Sequence, residues 1–276
     1  MKLLLCGHGY LGQAISREFL AAGWDVAATS LSGGEGTLSC DLSNAVSVAA
    51  LADIQPDFVV HCAASGRGGP EAYRAVYLDG CRHLIATFPG IPLLFTSSTS
   101  VYSQIDGSEV TEDSPAEPDR ETGRILRKTE DLVLSSGGLI TRLAGIYGPS
   151  RSVILKKFLT GEAVIEEDGR RYLNQIHRDD AARAILHLLS SSSQLSTLNS
   201  QLLFNLSDST PLTQLEAYTA LARTFDKPLP PSGPRDLNRK RGWTHKRVSN
   251  AKLRATGWEP LYPSFLDAVR SVAPTL

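Results

Sequence analysis

The chain has 276 residues, of which 42% are hydrophobic and 21% are charged, and its formal net charge is -1. This composition predicts a soluble globular protein, built as one large α/β domain or as a main domain with a smaller appendage. The near-neutral charge argues against a general attraction to nucleic acid or anionic membranes, and no apolar run is long enough to cross a bilayer.

A strand, a glycine-rich turn and a helix are predicted at the start of the chain. An apolar run at residues 2–6 passes through Gly7, Gly9 and Gly12, which spell G-x-G-x-x-G, into an amphipathic helix at 13–22. Such glycines allow a tight turn, a close approach of backbone to pyrophosphate and close packing of helix on strand. The helix N-terminus favours an anion. The pattern predicts a dinucleotide site, and a plain glycine turn is the alternative.

The second predicted strand, residues 25–29, completes a parallel, right-handed strand–helix–strand unit. An acidic residue after this strand is typical of NAD sites, and an arginine there is typical of NADP sites. Residues 28–32 contain neither. Thr29 and Ser30 can hydrogen-bond a ribose hydroxyl or a 2′-phosphate equally well. The cofactor is therefore expected to be NAD or NADP, and the missing acid favours NADP slightly.

The next elements are an edge strand at 38–42, a helix at 45–54 and an apolar strand at 57–62. Small residues at 63–69 follow this strand, where a ligand can lie against the backbone. His61 is expected to be a hydrogen-bonded core histidine, and Arg67 to contact a phosphate or solvent. We expect no metal site, and we interpret the four cysteines as core thiols of a cytoplasmic protein. They are Cys6, Cys40, Cys62 and Cys81.

A long helix at 71–87 and a strand at 91–95 precede the hydroxyl-rich stretch 96–102. Such a stretch often only satisfies its own backbone. Its predicted place, at the carboxyl end of a strand, is nevertheless where a substrate of an α/β protein binds.

Several segments together resemble the extended and atypical short-chain dehydrogenase/reductases, among them nucleotide-sugar epimerases and dehydratases. Residues 7–12 are similar to the family's cofactor loop, residues 41–42 to its adenine-contacting Asp-Leu pair, and residues 62–64 to its Asn-Ala-Ala segment. Residues 95–102 are similar to its active-site strand, residues 141–149 to its R-x-x-x-I-Y-G-P strand, and residues 174–180 to its N-x-I-H-x-x-D segment. The resemblance implies a set of cofactor-binding residues: Gly7, Gly9, Tyr10, Leu11, Gly12, Thr29, Ser30, Asp41, Leu42, Ala63, Ala64 and Ser65.

The resemblance also implies a catalytic Ser98 but leaves the catalytic acid/base unassigned. The family's Tyr-x-x-x-Lys helix falls near residues 115–135. Aligning Glu130 with the glutamate that usually follows the lysine puts Thr122 at the tyrosine position and Leu126 at the lysine position. Tyr102, Lys128 and Arg124 are candidate replacements. Of these we assign Tyr102 to the catalytic set with Ser98, the alternative being a tyrosine that packs behind the site.

The second half of the chain predicts a strand at 139–143, a helix at 152–161 and a strand at 201–206 after a surface loop at 190–197. A helix is predicted at 210–225, with Thr210 as N-cap and Pro211 in its first turn. A basic segment at 235–254 and a final helix at 265–272 follow. The resemblance implies that the basic segment contacts a substrate diphosphate, and a solvated basic face is the alternative.

The predicted fold class is α/β, a Rossmann-type doubly wound parallel sheet with a small C-terminal substrate lobe. Residues 1–150 form the NAD(P)-binding core, completed by a helix and strand within about 174–206, while 151–173 and 207–276 form the lobe. The expected function is an NAD(P)-dependent epimerase/dehydratase or reductase acting on a nucleotide sugar or a similar polar substrate. A catalytically inactive NAD(P)-binding sensor is the alternative. We expect no nucleic-acid or membrane partner, and the resemblance allows a homodimer.

Overall fold

The computed structural model describes residues 1–34, 36–66, 68–191, 202–236 and 243–276. Its strands in chain order are β1 Lys2–Cys6, β2 Asp25–Ser30, β3 Leu38–Ser39, β4 Phe58–His61, β5 Leu93–Ser98, β6 Glu109–Val110, β7 Leu139–Leu143, β8 Gly145–Tyr147, β9 Ile165–Glu166, β10 Tyr172–Leu173, β11 Gln175–His177, β12 Leu203–Leu206, β13 Leu212–Thr213, β14 Ser232–Gly233 and β15 Arg247–Val248.

The α-helices in chain order are α1 Tyr10–Ala21, α2 Ala45–Ala49, α3 Pro70–Tyr73, α4 Gly80–Thr87, α5 Glu121–Ser135, α6 Val153–Leu159, α7 Arg178–Ser190, α8 Gln214–Phe225, α9 Ala251–Arg254 and α10 Val269–Val272. A π-helical segment, Arg74–Asp79, joins α3 to α4. Short 3₁₀ helices occur at Ala52–Ile54, Thr99–Val101, Phe265–Ala268 and Ala273–Thr275. Within the described ranges, no helix combines the length and the apolarity needed to cross a membrane.

A seven-stranded sheet confirms the predicted Rossmann-type α/β fold. Its strand order is β12-β7-β5-β4-β1-β2-β3, and β1 pairs in parallel with both β2 and β4. The chain thus extends outward in both directions from β1, and the strand order reverses between β1 and β4. In open α/β sheets, ligands bind outside the carboxyl ends of the strands at such a reversal. A ligand-binding site is therefore expected at the turns after β1 and β4.

Two compact units make up the chain. The first comprises residues 1–101, 116–142 and 181–204, and its core is built on strand β1, in which residues 3–6 are fully buried. The second comprises residues 102–115, 143–180 and 205–276, and its apolar cluster includes Tyr147, Phe158, Tyr218 and Phe265. Residues 102–115 and 143–150, which the sequence pattern assigned to the core, lie in the second unit. There β6 pairs with β15, and β8 pairs with β11.

Several predicted boundaries were wrong. The edge strand ends at Ser39, and the helix predicted at 71–87 passes through the π-helical segment. The predicted N-cap Thr210 was also wrong, because Leu212–Thr213 forms an antiparallel pair with β10 before the helix begins. Thr213 caps α8 instead, since its hydroxyl accepts the Glu216 N–H and the Glu216 carboxylate accepts the Thr213 N–H. Most of the predicted 190–197 loop and residue 201 lie outside the described residues.

Candidate functional site

Two glycines, Gly7 after β1 and Gly12 in α1, occupy positions that leave no room for a side chain. The N–H groups of Gly7 and His8 both donate to Thr29 O, at 3.0 and 2.8 Å. Gly7 has a φ of +111°, and a Cβ there would lie 2.4 Å from Ala63 N. A Cβ on Gly12 would lie 2.0 Å from Gly7 O. Side chains at these two positions would therefore break the contacts that hold the loop against its neighbours.

Gly9 is different, because a Cβ there would meet no atom within 4 Å. It is the N-cap of α1, it has extended backbone, and no acidic residue lies in the first helical turn. The first turn of a helix leaves backbone N–H groups without intrahelical acceptors and carries a partial positive charge. Open space before an electropositive helix N-terminus fits a pyrophosphate. The loop thus has both the shape and the polarity that a bound dinucleotide requires.

The turn after β4 lies against this loop. The Cys62 thiol donates to Gly7 O at 3.1 Å, and Ala63 is in close approach to Gly7. Ala63 and Ser65 are partly exposed, and Ala64 is exposed. The structure therefore brings the predicted residues of both turns to one edge of the sheet. Arg67, for which a phosphate contact was one interpretation, lies outside the described residues.

Of the two hydroxyl residues that end β2, only Ser30 is accessible. Thr29 is buried, with 1% of its surface exposed, and it supports the glycine loop through its carbonyl oxygen. Ser30 is partly exposed, and its hydroxyl donates to Gly33 O at 3.2 Å. Thr29 therefore supports the loop from a buried position, while the Ser30 hydroxyl can rotate toward a ligand.

Asp41 and Leu42, the predicted adenine-contacting pair, follow β3. The Asp41 carboxylate accepts hydrogen bonds from the Ser43 N–H at 2.9 Å and the Ser43 hydroxyl at 2.7 Å. Leu42 is buried, and its carbonyl oxygen accepts from His83 Nδ1 at 2.9 Å. The Asp41 carboxylate is thus held in a local turn. An adenine contact through this pair stays a prediction.

His61 is the core histidine that was predicted. It is fully buried, and its Nε2 lies 2.8 Å from Val76 O. Burial lowers the pKa of His61 to about 4, so the ring is neutral at physiological pH. The four cysteines are likewise free thiols, as expected, and burial raises the pKa of Cys62 to about 12. These thiols are poor nucleophiles at neutral pH because the reactive form is the thiolate.

Ser98 ends β5, beside the buried Ser97. The Ser98 hydroxyl is partly exposed and accepts the Ser100 N–H at 3.2 Å. The Ser97 hydroxyl faces α5 instead and donates to Glu130 Oε1 at 2.5 Å. Of these two serines, Ser98 is the one that a substrate can reach.

Helix α5 contains no tyrosine, the residue that the related family uses here as its acid/base group. Leu126 is buried in the core, Thr122 is partly buried, and the side chains of Arg124 and Lys128 are exposed. Among the buried residues of this described helix, Glu130 is the only ionisable one. Arg142, Arg127 and Ser97 all bind its carboxylate. Glu130 is therefore part of a structural ion-pair network, which the sequence analysis missed.

Tyr102, the other residue assigned to catalysis, is fully buried within the second unit. Its hydroxyl lies 2.8 Å from Thr111 O and 2.9 Å from Asn205 Oδ1. The Lys246 ammonium donates to Tyr102 O at 2.7 Å. These contacts lie within the second unit, and both interpretations of Tyr102, as a catalytic residue and as a packing residue, stay predictions.

The basic segment does not form a uniform solvated face. Lys246 is buried, and desolvation together with the nearby Arg171 lowers its pKa to about 8. Arg235 lies over the Trp243 ring at 3.8 Å and pairs with Glu167. Arg239, Lys240 and Arg241 of the same segment lie outside the described residues. Of the residues that are described, no group of His, Cys, Asp and Glu side chains is arranged to hold a metal ion.

Comparisons with known proteins agree with this architecture. The family model for the RmlD substrate binding domain matches residues 1–194. A solved structure of a candidate NAD-dependent epimerase/dehydratase from Methylobacillus flagellatus is 26% identical, with a TM-score of 0.80, covering 99% of this chain and 97% of the other. No curated protein matches the chain.

Two more distant structures share the fold. The Thermus thermophilus UDP-glucose 4-epimerase in complex with NAD is 20% identical, with a TM-score of 0.76, covering 100% of this chain and 98% of the other. A human epimerase family protein with NADPH is 19% identical, with a TM-score of 0.81, covering 100% of both chains.

Proposed function

Since the chain belongs to the RmlD substrate binding domain family, within the extended short-chain dehydrogenase/reductase superfamily, we propose that it binds NAD(P) and acts as an epimerase/dehydratase or reductase. The observation that carries the proposal is the glycine loop. Gly7 and Gly12 are closed in by backbone atoms, whereas the space in front of Gly9 is open. This combination suits a loop that must both pack tightly and admit a pyrophosphate.

The pyrophosphate is assigned to the N–H groups at the start of α1, with Gly9 as the point of closest approach. Ala63, Ala64 and Ser65 are assigned to the cofactor because their turn lies against the glycine loop. A bound nicotinamide supplies or accepts a hydride at the reacting carbon. Ser98 is assigned the hydrogen bond to the reacting oxygen because its hydroxyl is partly exposed at the carboxyl end of β5.

The substrate proposed is a nucleotide sugar or a similar polar molecule. Support comes from the similar solved structures, one of which is a UDP-glucose 4-epimerase. The preferred cofactor proposed is NADP, since residues 28–32 offer no carboxylate to the ribose and Ser30 offers a hydroxyl. Residues 151–173 and 207–276 are assigned to substrate binding. A cytoplasmic location is proposed from the four free thiols, which suit a reducing compartment.

A non-catalytic NAD(P)-binding regulator is the second candidate, and one observation favours it. With Glu130 aligned to the family's glutamate, Thr122 and Leu126 fall at the positions of its tyrosine and lysine, and Leu126 is buried. Neither side chain can exchange a proton at neutral pH. The loop can then bind the cofactor without any chemistry following.

Two measurements test these proposals. Isothermal titration with NADPH and NADH should show binding, with NADPH the tighter ligand. Single-turnover absorbance of the nicotinamide, with a panel of UDP- and dTDP-sugars, should show oxidation or reduction with at least one sugar. Tight binding without any spectral change across the panel would favour the regulator, and absence of binding would reject both candidates.

A further inference from the structure

We propose that Tyr77 supplies the proton that a tyrosine of the helix equivalent to α5 supplies in the related family, so that the phenol acts from the π-helical segment Arg74–Asp79. This inference rests on the proposed function, because it assigns a residue to the reaction at the same site. The sequence pattern alone gives Tyr77 no special role, because it is one of several apolar or aromatic residues on the predicted helix 71–87.

Tyr77 lies in the π-helical segment Arg74–Asp79, where the helix is locally widened. Single π turns inside α-helices occur frequently at functional sites. The Tyr77 ring packs between aromatic neighbours, with its centroid 5.0 Å from the Tyr73 ring and 5.7 Å from the Phe95 ring. Phe95 belongs to β5, the strand that ends at Ser98. The ring is therefore anchored on the strand that carries the proposed catalytic serine.

The hydroxyl of Tyr77 is directed at the turn after β4, which contains Ser65. Ser65 N–H donates to the Tyr77 phenol oxygen at 3.1 Å, so the phenol acts as the acceptor in this bond. Among the described residues, the O–H of Tyr77 has no acceptor. The side chain is only partly buried. A proton on this oxygen is thus held at the turn and remains available to a ligand there.

Other titratable groups of the first unit are less suited to this task. His61 is fully buried and its Nε2 is bonded to Val76 O. The Glu130 carboxylate is buried and occupied by two arginines. Lys128 is exposed on α5. Tyr77 combines partial exposure with contact to residues that line the proposed site.

In the direction of reduction, the carbonyl carbon would receive a hydride, one hydrogen with its electron pair, that a bound nicotinamide would supply. The π pair of the C=O bond moves onto oxygen, which takes the proton from the Tyr77 O–H and becomes an alcohol. Tyr77 is left as a phenolate and regains a proton from water. In the oxidation direction, the Tyr77 phenolate accepts the proton of the substrate hydroxyl.

The test compares Tyr77→Phe with Tyr73→Phe, whose ring contacts Tyr77 on the same face. For Tyr77→Phe we expect a fall in turnover of about 10²–10⁴-fold, the usual contribution of a general acid. The affinity for NADPH should stay within a few-fold of the unchanged protein in both variants. Tyr73→Phe should keep its turnover. Equal turnover of Tyr77→Phe and the unchanged protein would overturn the proposal.

A second variant separates proton transfer from support of the turn. Tyr77→3-fluorotyrosine retains the phenol oxygen that Ser65 N–H needs but makes the phenol more acidic. A role in proton transfer predicts that the corresponding limb of the pH–rate profile moves to lower pH. An unmoved profile would assign Tyr77 to positioning alone and overturn the proposal.

A measurement without turnover covers the case in which no substrate is found. The difference in ultraviolet absorbance between the unchanged protein and Tyr77→Phe reports the Tyr77 phenol by itself. Because this phenol lies at the turn assigned to the cofactor, binding of oxidised nicotinamide should change that difference spectrum. Cofactor binding that leaves the difference spectrum unchanged would overturn the inference and leave the cofactor proposal intact. Absence of cofactor binding would reject the proposed function itself, and the inference with it.

Discussion

Arg142 and Glu130 form a doubly hydrogen-bonded ion pair in the buried interior of the first unit. Arg142 Nε lies 3.0 Å from Glu130 Oε1, and Arg142 Nη2 lies 2.7 Å from Glu130 Oε2. Neither side chain is more than 3% exposed. The pair joins α5 to β7, next to the strand that carries Ser98. A charged pair at this depth must be complete, because either ion alone would be buried without compensation.

Replacing one partner of this pair should therefore be costly. We expect Glu130→Gln to lower the free energy of unfolding by about 3–5 kcal/mol, since Arg142 keeps its charge and loses its counter-ion. Urea denaturation measures the change. Asp131→Asn is the matched control, because the Asp131 carboxylate is 64% exposed and also pairs with Arg127. The control should lose about 0.5 kcal/mol or less. Equal losses in the two variants would contradict the assigned role of Glu130.

The glycine loop offers a variant that separates folding from cofactor binding. In Gly9→Ala the new methyl group meets no protein atom beyond the adjacent backbone within 4 Å, so the melting temperature of the free protein should fall only slightly, because alanine is a weaker N-cap than glycine. The same methyl group would occupy the space assigned to the pyrophosphate. We expect the dissociation constant for NADPH, measured by isothermal titration, to rise about tenfold or more.

Gly12→Ala provides the contrast to Gly9→Ala. Its methyl group would lie 2.0 Å from Gly7 O, so we expect it to lower the melting temperature. Unchanged NADPH affinity in a stable Gly9→Ala protein would place the pyrophosphate elsewhere.

The choice between the two nicotinamide cofactors should depend on Ser30. In Ser30→Asp the carboxylate would repel a 2′-phosphate and accept hydrogen bonds from ribose hydroxyls. We expect NADPH affinity to fall and NADH affinity to rise, both measured by titration calorimetry. Ser30→Ala should weaken NADPH without strengthening NADH, because it removes a donor and adds no acceptor. If neither variant alters the ratio of the two affinities, Ser30 does not contact the ribose.

The second unit should show a pH-dependent stability that arises at Asp208. Burial, with smaller contributions from Asp267 and Asp180, raises the pKa of this carboxyl above its usual range. At pH values between the pKa of Asp208 in the unfolded chain and its higher pKa in the folded protein, the folded state binds more protons than the unfolded state. The stabilisation that Asp208 contributes is thus fully present below the unfolded value and is lost as the pH rises through the folded value.

Asp208→Asn removes this titration and keeps an oxygen for the Phe265 N–H, which donates to Asp208 Oδ2 at 3.1 Å. We expect the variant to be at least as stable as the unchanged protein at neutral pH. The difference should disappear below about pH 4, where an unperturbed Asp is protonated. Melting temperatures taken across this range for both proteins test the expectation. A difference that is constant with pH would show that Asp208 keeps the same charge throughout.

The fold could be predicted because its evidence is local. The apolar run before Gly7, the glycine spacing and the helical periodicity after Gly12 each depend on neighbouring residues, and together they specify a strand–turn–helix. The ends of helices and strands were harder to predict where pairing between distant strands sets them. Thr213 rather than Thr210 begins α8 because Leu212–Thr213 is first used as a strand against β10.

Some features of the candidate site likewise follow from local sequence, and others depend on packing between elements. Sequence alone determined that G-x-G-x-x-G follows the first strand and that α5 contains no tyrosine. Only the tertiary structure decided that Thr29 supports the loop from a buried position and that Tyr77 meets Ser65. The reason is that contacts between elements depend on how helices rotate and pack on the sheet. A local pattern places a side chain on a face but does not choose the partner that it meets there.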